Sequence, residues 1–251
     1  VLERKGAKTA LITTEGFRDV LDIGTERRYD LFDLQQQYPE ALVPRYLRRG
    51  VAERLRSDGA VLTPLDPSEV DRIVGDFAEQ GVEAVAVCLL HAYQNPRHEQ
   101  AVRERLAEML PEVSVSLSSD VLPEINEYAR TSTTVVNAYT KPLMERYLAN
   151  LEDNLQGQGL RGRLLVMLSS GGVASVETAA SYPVRVIESG PVGGAIMGQR
   201  IKDLAGIRAA FAFDMGGTTA KLCLLLGDEP IRASEYEVAR VHRFKAGSGI
   251  P

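Results

Sequence analysis

Residues 67–117 read as a helix, a buried strand, a second helix and a further strand, and this succession constrains the fold more than any other feature. Pro67 stands at a helix start, and Val70, Ile73, Val74 and Phe77 follow at the i, i+3, i+4, i+7 spacing of one buried face. Glu83–Leu90 (EAVAVCLL) is a run of strand length, apolar enough to be covered on both faces. Asn95-Pro96 opens a second helix with Val102, Leu106, Met109 and Leu110 on one side, and Val113–Leu117 is the next strand. A strand, a helix and a strand in series imply a parallel crossover, so the chain is expected to be α/β.

Upstream, Lys8–Thr13 is a strand candidate and Gly16–Ile23 a short helix. Asp30–Arg45, with Pro39 and Pro44, reads as a surface excursion. Val51–Leu55 and Ala60–Leu62 flank Ser57-Asp58-Gly59, which suggests a hairpin. The basic run Arg45-Tyr46-Leu47-Arg48-Arg49 is expected to be a solvated face or an interdomain contact. Downstream, a long helical stretch from Pro123 to about Leu155 is expected to kink or break near Lys141-Pro142. Leu164–Leu168 is a strand, a helix runs to about Leu204, and Ala209–Phe213 and Lys221–Leu226 are two more strands. Mixed sheets follow, and a boundary near Ser118–Leu122 divides the chain into 1–120 and 121–251.

The 251 residues carry 29 Lys+Arg and 34 Asp+Glu, a net charge of −5, with 44% hydrophobic and 25% charged residues. That is an ordinary soluble composition. The mild acidity argues against a general nucleic-acid binder, and no apolar run reaches the roughly 18 residues that span a bilayer. Cys88 and Cys223 sit in apolar runs and read as buried thiols in a reducing cytoplasm. The first residues look like the last turn of a helix and the last ones stop in mid-loop, so the chain is expected to be a piece of a longer protein.

Three glycine-rich turns carry the candidate chemistry. The segment Phe211–Leu226 (FAFDMGGTTAKLCLLL) places Asp214 at the end of a strand, then Gly216 and Gly217, then the hydroxyls of Thr218 and Thr219, then a second strand. Glycines let backbone N–H groups approach phosphate oxygens, and a carboxylate suits Mg²⁺, a hard cation that prefers oxygen ligands. A plain hairpin with an exposed Asp is the alternative. Ser169–Gly172 follows a strand, and Ser189–Gly194 precedes a helix whose N–H groups could face an anion. Each of these two is also compatible with a tight connection, but three turns within about 50 residues favour one shared cleft. Glu127 and Arg130, three apart on a helix, are expected to pair at the surface unless they form a substrate or subunit face. His91 and His98 read as packed or capping residues.

Across nearly its whole length the chain resembles the hydantoinase A / 5-oxoprolinase family (N-methylhydantoinase A-like proteins and the acetone and acetophenone carboxylase subunits). The resemblance rests on LERKGAKTALITTEGFRDVLDIG at Leu2–Gly24, LVPRYL at Leu42–Leu47, DGAVLTPLD at Asp58–Asp66 and VCLLHAYQNPRHE at Val87–Glu99. It continues through LPEINEYARTSTTVVNAY at Leu122–Tyr139, SSGGVASVETAASYPVRVIESGPVGG at Ser169–Gly194, FDMGGTTAK at Phe213–Lys221 and YEVARVHRFKAGSGIP at Tyr236–Pro251.

The resemblance implies an actin-like ATPase superfamily fold (sugar kinase, Hsp70 and actin relatives), of which this chain would be an internal fragment. Residues 1–120 would be the C-terminal part of the N-terminal domain, and 121–251 the start of the core domain. It implies ATP and Mg²⁺ as cofactors, with a second divalent metal in some relatives. Asp214 would be the catalytic, metal-side carboxylate; Gly216, Gly217, Thr218 and Thr219 would cradle phosphate, and Gly193 and Gly194 would contact nucleotide. The facing phosphate hairpin of the family would lie before Val1, so the piece alone is expected to be inactive. The implied reaction is ATP-dependent opening of a cyclic amide. An ATP-dependent ketone carboxylase subunit and a non-catalytic actin-like nucleotide-binding module remain as alternatives, and a hydantoinase B-like subunit or fused domain is the implied partner. Many members carry Thr-Ser-Thr-Asp after the Gly-Gly pair. Here Thr218-Thr219-Ala220-Lys221 supplies no second carboxylate, a form more like carboxylase-type and some hydantoinase-type members; Lys221 could neutralise a phosphate or be a plain surface lysine.

Overall fold

The computed structural model describes residues 1–26, 28–217, 220–230, 232–233, 235–242 and 244–251. Contacts group them into two compact units, Val1–Leu143 with Tyr236–Pro251, and Met144–Glu235.

The first unit is built on a four-stranded parallel sheet. Strand β1 (Thr9–Thr14) leads through a short helix α1 (Val20–Ile23) and a 3-10 turn at Arg45–Leu47 to β2 (Arg48–Val51). A hairpin of β3 (Arg54–Leu55) and β4 (Val61–Thr63) follows, then helix α2 (Pro67–Glu79), β5 (Ala84–Cys88), helix α3 (Arg97–Met109), β6 (Ser114–Leu117) and the single turn α4 (Ser118–Val121). The strand order is β2-β1-β5-β6, with every pair parallel. All five residues of β5 are buried, which is why it reads as one unbroken apolar run. Helix α2 starts where the Asp66 carboxylate caps the Ser68 N–H at 2.9 Å, and it buries the four residues picked out by their spacing. Burying a side chain such as Phe77 contributes about 1.5–3 kcal/mol.

Strand β2 departs from the sequence expectation. Arg48 is buried, not solvated: its guanidinium grips both oxygens of Asp22, at 2.6 and 3.0 Å, and Nε donates to Val43 O at 2.9 Å. Gly50 lets this strand lie against β1, since a Cβ there would stand 3.0 Å from the Glu15 Cα. Gly16–Ile23 is helical only from Val20, and Val1–Gly6 holds a turn, Arg4 N–H donating to Val1 O at 3.1 Å, instead of a helix end.

Helix α5 (Glu127–Gly157) contains Pro142 and crosses the division between the units at Leu143. Its first half binds the parallel sheet through polar contacts. Asn137 Nδ2 donates to Ser116 Oγ at 3.0 Å, Lys141 Nζ to Val115 O at 3.0 Å and Thr131 Oγ1 to Cys88 Sγ at 3.1 Å. Arg130 does not pair with Glu127 at the surface. It is buried, donates to Leu89 O at 3.0 Å and Glu124 O at 2.8 Å, and lies 5.3 Å from the Tyr93 ring centre. A carbonyl just past β5 and one from the segment before α5 take up this guanidinium.

The second unit contains the antiparallel pair β7 (Leu165–Met167) and β8 (Val173–Ser175), helix α6 (Val176–Ser181), a 3-10 turn at Pro183–Val186 and helix α7 (Ser189–Leu204). It closes with the antiparallel hairpin β9 (Ala209–Met215) and β10 (Ala220–Leu226). Parallel and antiparallel pairing thus coexist in an α/β chain, as the sequence led us to expect.

Candidate functional site

All three glycine-rich turns fall in the second unit. On the β9–β10 hairpin, Ala210, Ala212 and Asp214 stand opposite Leu225, Cys223 and Lys221, so these six side chains share one face. Helix α7 packs on that face at Gly198, where an added Cβ would stand 3.0 Å from Leu225 Cδ1 and 3.3 Å from Ala212 Cβ. Cys223 is half-buried here, less covered than its apolar run suggested, because a two-stranded hairpin shields it incompletely. The opposite face carries Phe211, Phe213, Met215, Leu222, Leu224 and Leu226, all exposed.

Asp214 ends this geometry with an exposed carboxylate, and Gly216 and Gly217 follow it, also exposed. Thr218 and Thr219 lie outside the described residues. Lys221, across from Asp214, gives its ammonium to the Glu188 carboxylate in an ion pair. Glu188 precedes α7 in a left-handed conformation (φ 65°), a backbone cost of about 1–2 kcal/mol for a residue with a Cβ. Strain of this kind gathers where a side chain must be held in one place.

The second turn belongs to helix α7 from Ser189 onward, so its glycines are not a loop before the helix. Gly193 and Gly194 lie past the first turn, and their N–H groups are committed to the helical ladder. The amides left free by geometry are those of Ser189 and Gly190, since Pro191 has none.

The first turn is the bend between β7 and β8. Ser169 binds the segment just before Glu188: its N–H donates to Arg185 O at 2.7 Å, and its hydroxyl reaches Arg185 O at 2.8 Å and Ile187 O. Gly171 takes φ +88°, and a Cβ there would stand 2.7 Å from Ile196 Cδ1 on α7. Arg232 donates to Ser170 O at 3.4 Å. Hydrogen bonds tie the first turn to the segment just before the second, and the Glu188–Lys221 pair ties the residue before α7 to strand β10 beside the third. The sequence pattern missed this last link, for which no spacing signal exists.

The first unit holds its own polar centre. His98 is buried, its Nδ1 2.7 Å from Glu53 Oε2, while Thr14 donates to the other Glu53 oxygen and accepts the Leu90 N–H at 3.0 Å. Glu99 is buried and accepts from the Leu89 N–H at 2.9 Å, the Ser118 hydroxyl at 2.6 Å and the Ser119 N–H at 2.9 Å. Among the described residues no group of three or more His, Cys, Asp or Glu is placed to hold a metal ion, and no helix is long and apolar enough to cross a membrane.

Comparison with known proteins places this geometry among relatives. The family model described as Hydantoinase/oxoprolinase N-terminal region matches residues 1–110, and that described as Hydantoinase/oxoprolinase matches residues 130–246. A Methanocaldococcus jannaschii protein of uncharacterised function is 42% identical over 97% of the chain and 36% of its own length. The caprolactamase alpha subunit of Pseudomonas jessenii is 36% identical over 90% of the chain and 33% of its own length. The crystal structure of that ATP-dependent caprolactamase matches with a TM-score of 0.80 and 35% identity over 88% of this chain and 32% of its own. A nucleotide-free acetone carboxylase structure, from work on ATP-dependent acetone carboxylation, matches with a TM-score of 0.81 and 28% identity over 91% of this chain and 34% of its own. The fold is that of the α/β, actin-like class expected from the sequence. The chain spans about a third of the length of these curated relatives.

Proposed function

Because the chain belongs to the hydantoinase/oxoprolinase family, we propose that it supplies one phosphate-binding half of an ATP site, in a polypeptide that opens cyclic amides. The observation that carries this reading is that contacts between the segments flanking three glycine-rich turns converge on the Asp214 end of the β9–β10 hairpin.

In the proposed reaction the γ-phosphoryl group passes to the amide carbonyl oxygen. ADP departs, water adds to the carbon, the C–N bond breaks with the nitrogen taking a proton, and a second water hydrolyses the resulting acyl phosphate to carboxylate and inorganic phosphate. This chain's part is positioning and charge neutralisation. The amides around Gly216 and Gly217 and the hydroxyls of Thr218 and Thr219 would hold phosphate oxygens. The free amides of Ser189 and Gly190 would add donors, with Gly193 and Gly194 giving the adjoining helix flank a surface without side chains.

The donor set fits Mg²⁺, which is bound through one or two carboxylates plus water and substrate phosphates. Asp214 is exposed, and the ammonium opposite it is already held by Glu188. Asp214 would hold the ion, whose charge would offset that of the transferring phosphoryl group.

The likeness to acetone carboxylase supports a second reading, in which the same ATP half-site serves ketone carboxylation. A non-catalytic nucleotide-binding module is the third. A hydantoinase B-like subunit or fused domain completes the proposed assembly, in keeping with the relatives being named as subunits. A domain boundary at 120/121, within the interval between the two matched regions, a second divalent metal elsewhere in the polypeptide and a cytoplasmic location belong to the same proposal.

The test is phosphate release from ATP and Mg²⁺ by the full polypeptide with its partner, given a cyclic amide or a ketone with bicarbonate. We expect turnover stimulated by the cyclic amide and reduced at least a hundredfold in Asp214→Asn. Stimulation by the ketone alone moves the chain to the second reading, and nucleotide binding without stimulated turnover to the third. Full activity in Asp214→Asn removes the hairpin from the site.

A further inference from the structure

The first unit contains a cleft that none of the proposed ATP chemistry uses. In the order β2-β1-β5-β6, the chain leaves β1 toward β2 and leaves β5 toward β6, so the direction of connection reverses between β1 and β5. Open α/β sheets bind ligands outside the carboxyl ends of their strands at such a reversal. A cavity of about 210 Å³ lies on the β1–β2 side of this reversal, lined by Thr14, Glu15, Ala52, Glu53, Arg54 and Thr63. It is smaller than the roughly 300 Å³ at which drug-sized pockets begin, so its ligand would have few non-hydrogen atoms.

Of the three ionisable residues in its lining, Arg54 and Glu15 are of opposite sign and do not meet. Arg54 has its guanidinium carbon 5.4 Å from the Phe17 ring centre, and its Nη1 is shut off from solvent without a hydrogen-bond partner. A donor excluded from water and left unpaired is costly, and such groups are rare in folded proteins. Glu15 lies exposed on the same cavity, and its carboxylate enters no hydrogen bond or ion pair among the described residues. The remaining polar groups are already engaged, because Thr14 and His98 hold the two oxygens of Glu53 and the Leu90 N–H occupies Thr14. The cleft therefore holds one guanidinium and one carboxylate that enter no hydrogen bond or ion pair among the described residues.

We propose that this cleft binds a small amino-carboxylate, its carboxylate on Arg54 and its ammonium on Glu15. Arginine suits the carboxylate end because its planar fork matches two oxygens at once. The binding claim stands on the cleft alone. Opening a cyclic amide yields a molecule of this class, and only the identification of the ligand as that product rests on the function proposed above.

The experiment is calorimetric titration of the full polypeptide, without ATP, using γ-aminobutyrate, butyrate and butylamine as a matched set. γ-Aminobutyrate is expected to bind saturably, and each single-charge analogue at least tenfold more weakly. Arg54→Gln and Glu15→Gln should each weaken γ-aminobutyrate binding at least tenfold while the thermal unfolding curve is unchanged. If Arg54→Gln does not fold, Arg54→Lys keeps the charge but removes the fork, and the same tenfold loss is expected. Equal binding of butyrate with no effect of Glu15→Gln would overturn the proposal in favour of a plain anion site. Absence of saturable binding by all three compounds would overturn it outright. ATP turnover is read separately, so its failure counts against the ATP reading and leaves the binding result standing.

Discussion

Lys221 stands directly opposite Asp214 on the antiparallel β9–β10 pair, yet its ammonium is paired with Glu188 at the head of helix α7. A lysine facing a carboxylate would ordinarily compete with a metal ion for it. Glu188, held in a left-handed backbone conformation, draws that lysine aside.

Glu188→Gln should therefore release Lys221 toward Asp214. The Mg²⁺ concentration for half-maximal ATP turnover in the full polypeptide is expected to rise several-fold, and the double variant Glu188→Gln, Lys221→Gln to return toward the original value. A Mg²⁺ requirement unmoved by Glu188→Gln would mean that the pair plays no part in keeping the carboxylate open.

Glu99 gives a pH dependence. Burial pushes its carboxyl above the usual carboxylate range, against the opposing hydrogen bonds from Ser118 and the amides of Leu89 and Ser119. The folded state then keeps the proton to higher pH than the unfolded chain does. Its contribution is fully present below the unfolded value of about 4.3 and declines as pH rises through the folded one. Urea unfolding at successive pH values should show this decline, and Glu99→Gln should lack it. The variant also sets an amide N–H against the Ser119 N–H, at a cost of about 1–3 kcal/mol.

Arg48 ties β2 to helix α1 through Asp22 and to the loop before it through Val43 O. Arg48→Met removes the charged donor and leaves Val43 O unpaired, so unfolding free energy should fall by about 1.5–3 kcal/mol. Asp22→Asn should cost less, because the Asp22 side chain is 49% exposed and water replaces part of the interaction.

Gly198 sets how closely α7 approaches the hairpin. A valine there would collide with Leu225 and Ala212, and such overpacking typically costs about 1–3 kcal/mol. In the full polypeptide, Gly198→Val should lower the urea midpoint and weaken nucleotide binding together, because the helix that displaces the hairpin also carries the Ser189 and Gly190 amides.

Helix α2 and strand β5 were legible in the sequence because burial alone determines their pattern, with Val70, Ile73, Val74 and Phe77 at helical spacing and Ala84–Cys88 unbroken. Strand β2 was not, since Arg48, Arg49 and Gly50 carry no strand signal and Arg48 is buried only because a distant aspartate meets it. Arg130 misled for the same reason: a local pair with Glu127 loses to the Leu89 carbonyl just past β5 and to Glu124 O. At the candidate site, composition marked the three turns, but not which glycines remain outside a helix. Gly193 and Gly194 fall inside α7 because the helix begins at Ser189, and nothing in a string of small residues marks that start.

The outer face of the β9–β10 hairpin has a practical consequence. Phe211, Phe213, Met215, Leu222, Leu224 and Leu226 form an apolar ribbon without a charge on it, and among the described residues neither long edge of this two-stranded sheet is paired. Such a ribbon is a template for intermolecular strand pairing. As a 251-residue chain, the polypeptide would tend to associate with itself as its concentration rises. The segment that shapes the candidate site is therefore also the one most in need of a companion when the protein is handled in isolation.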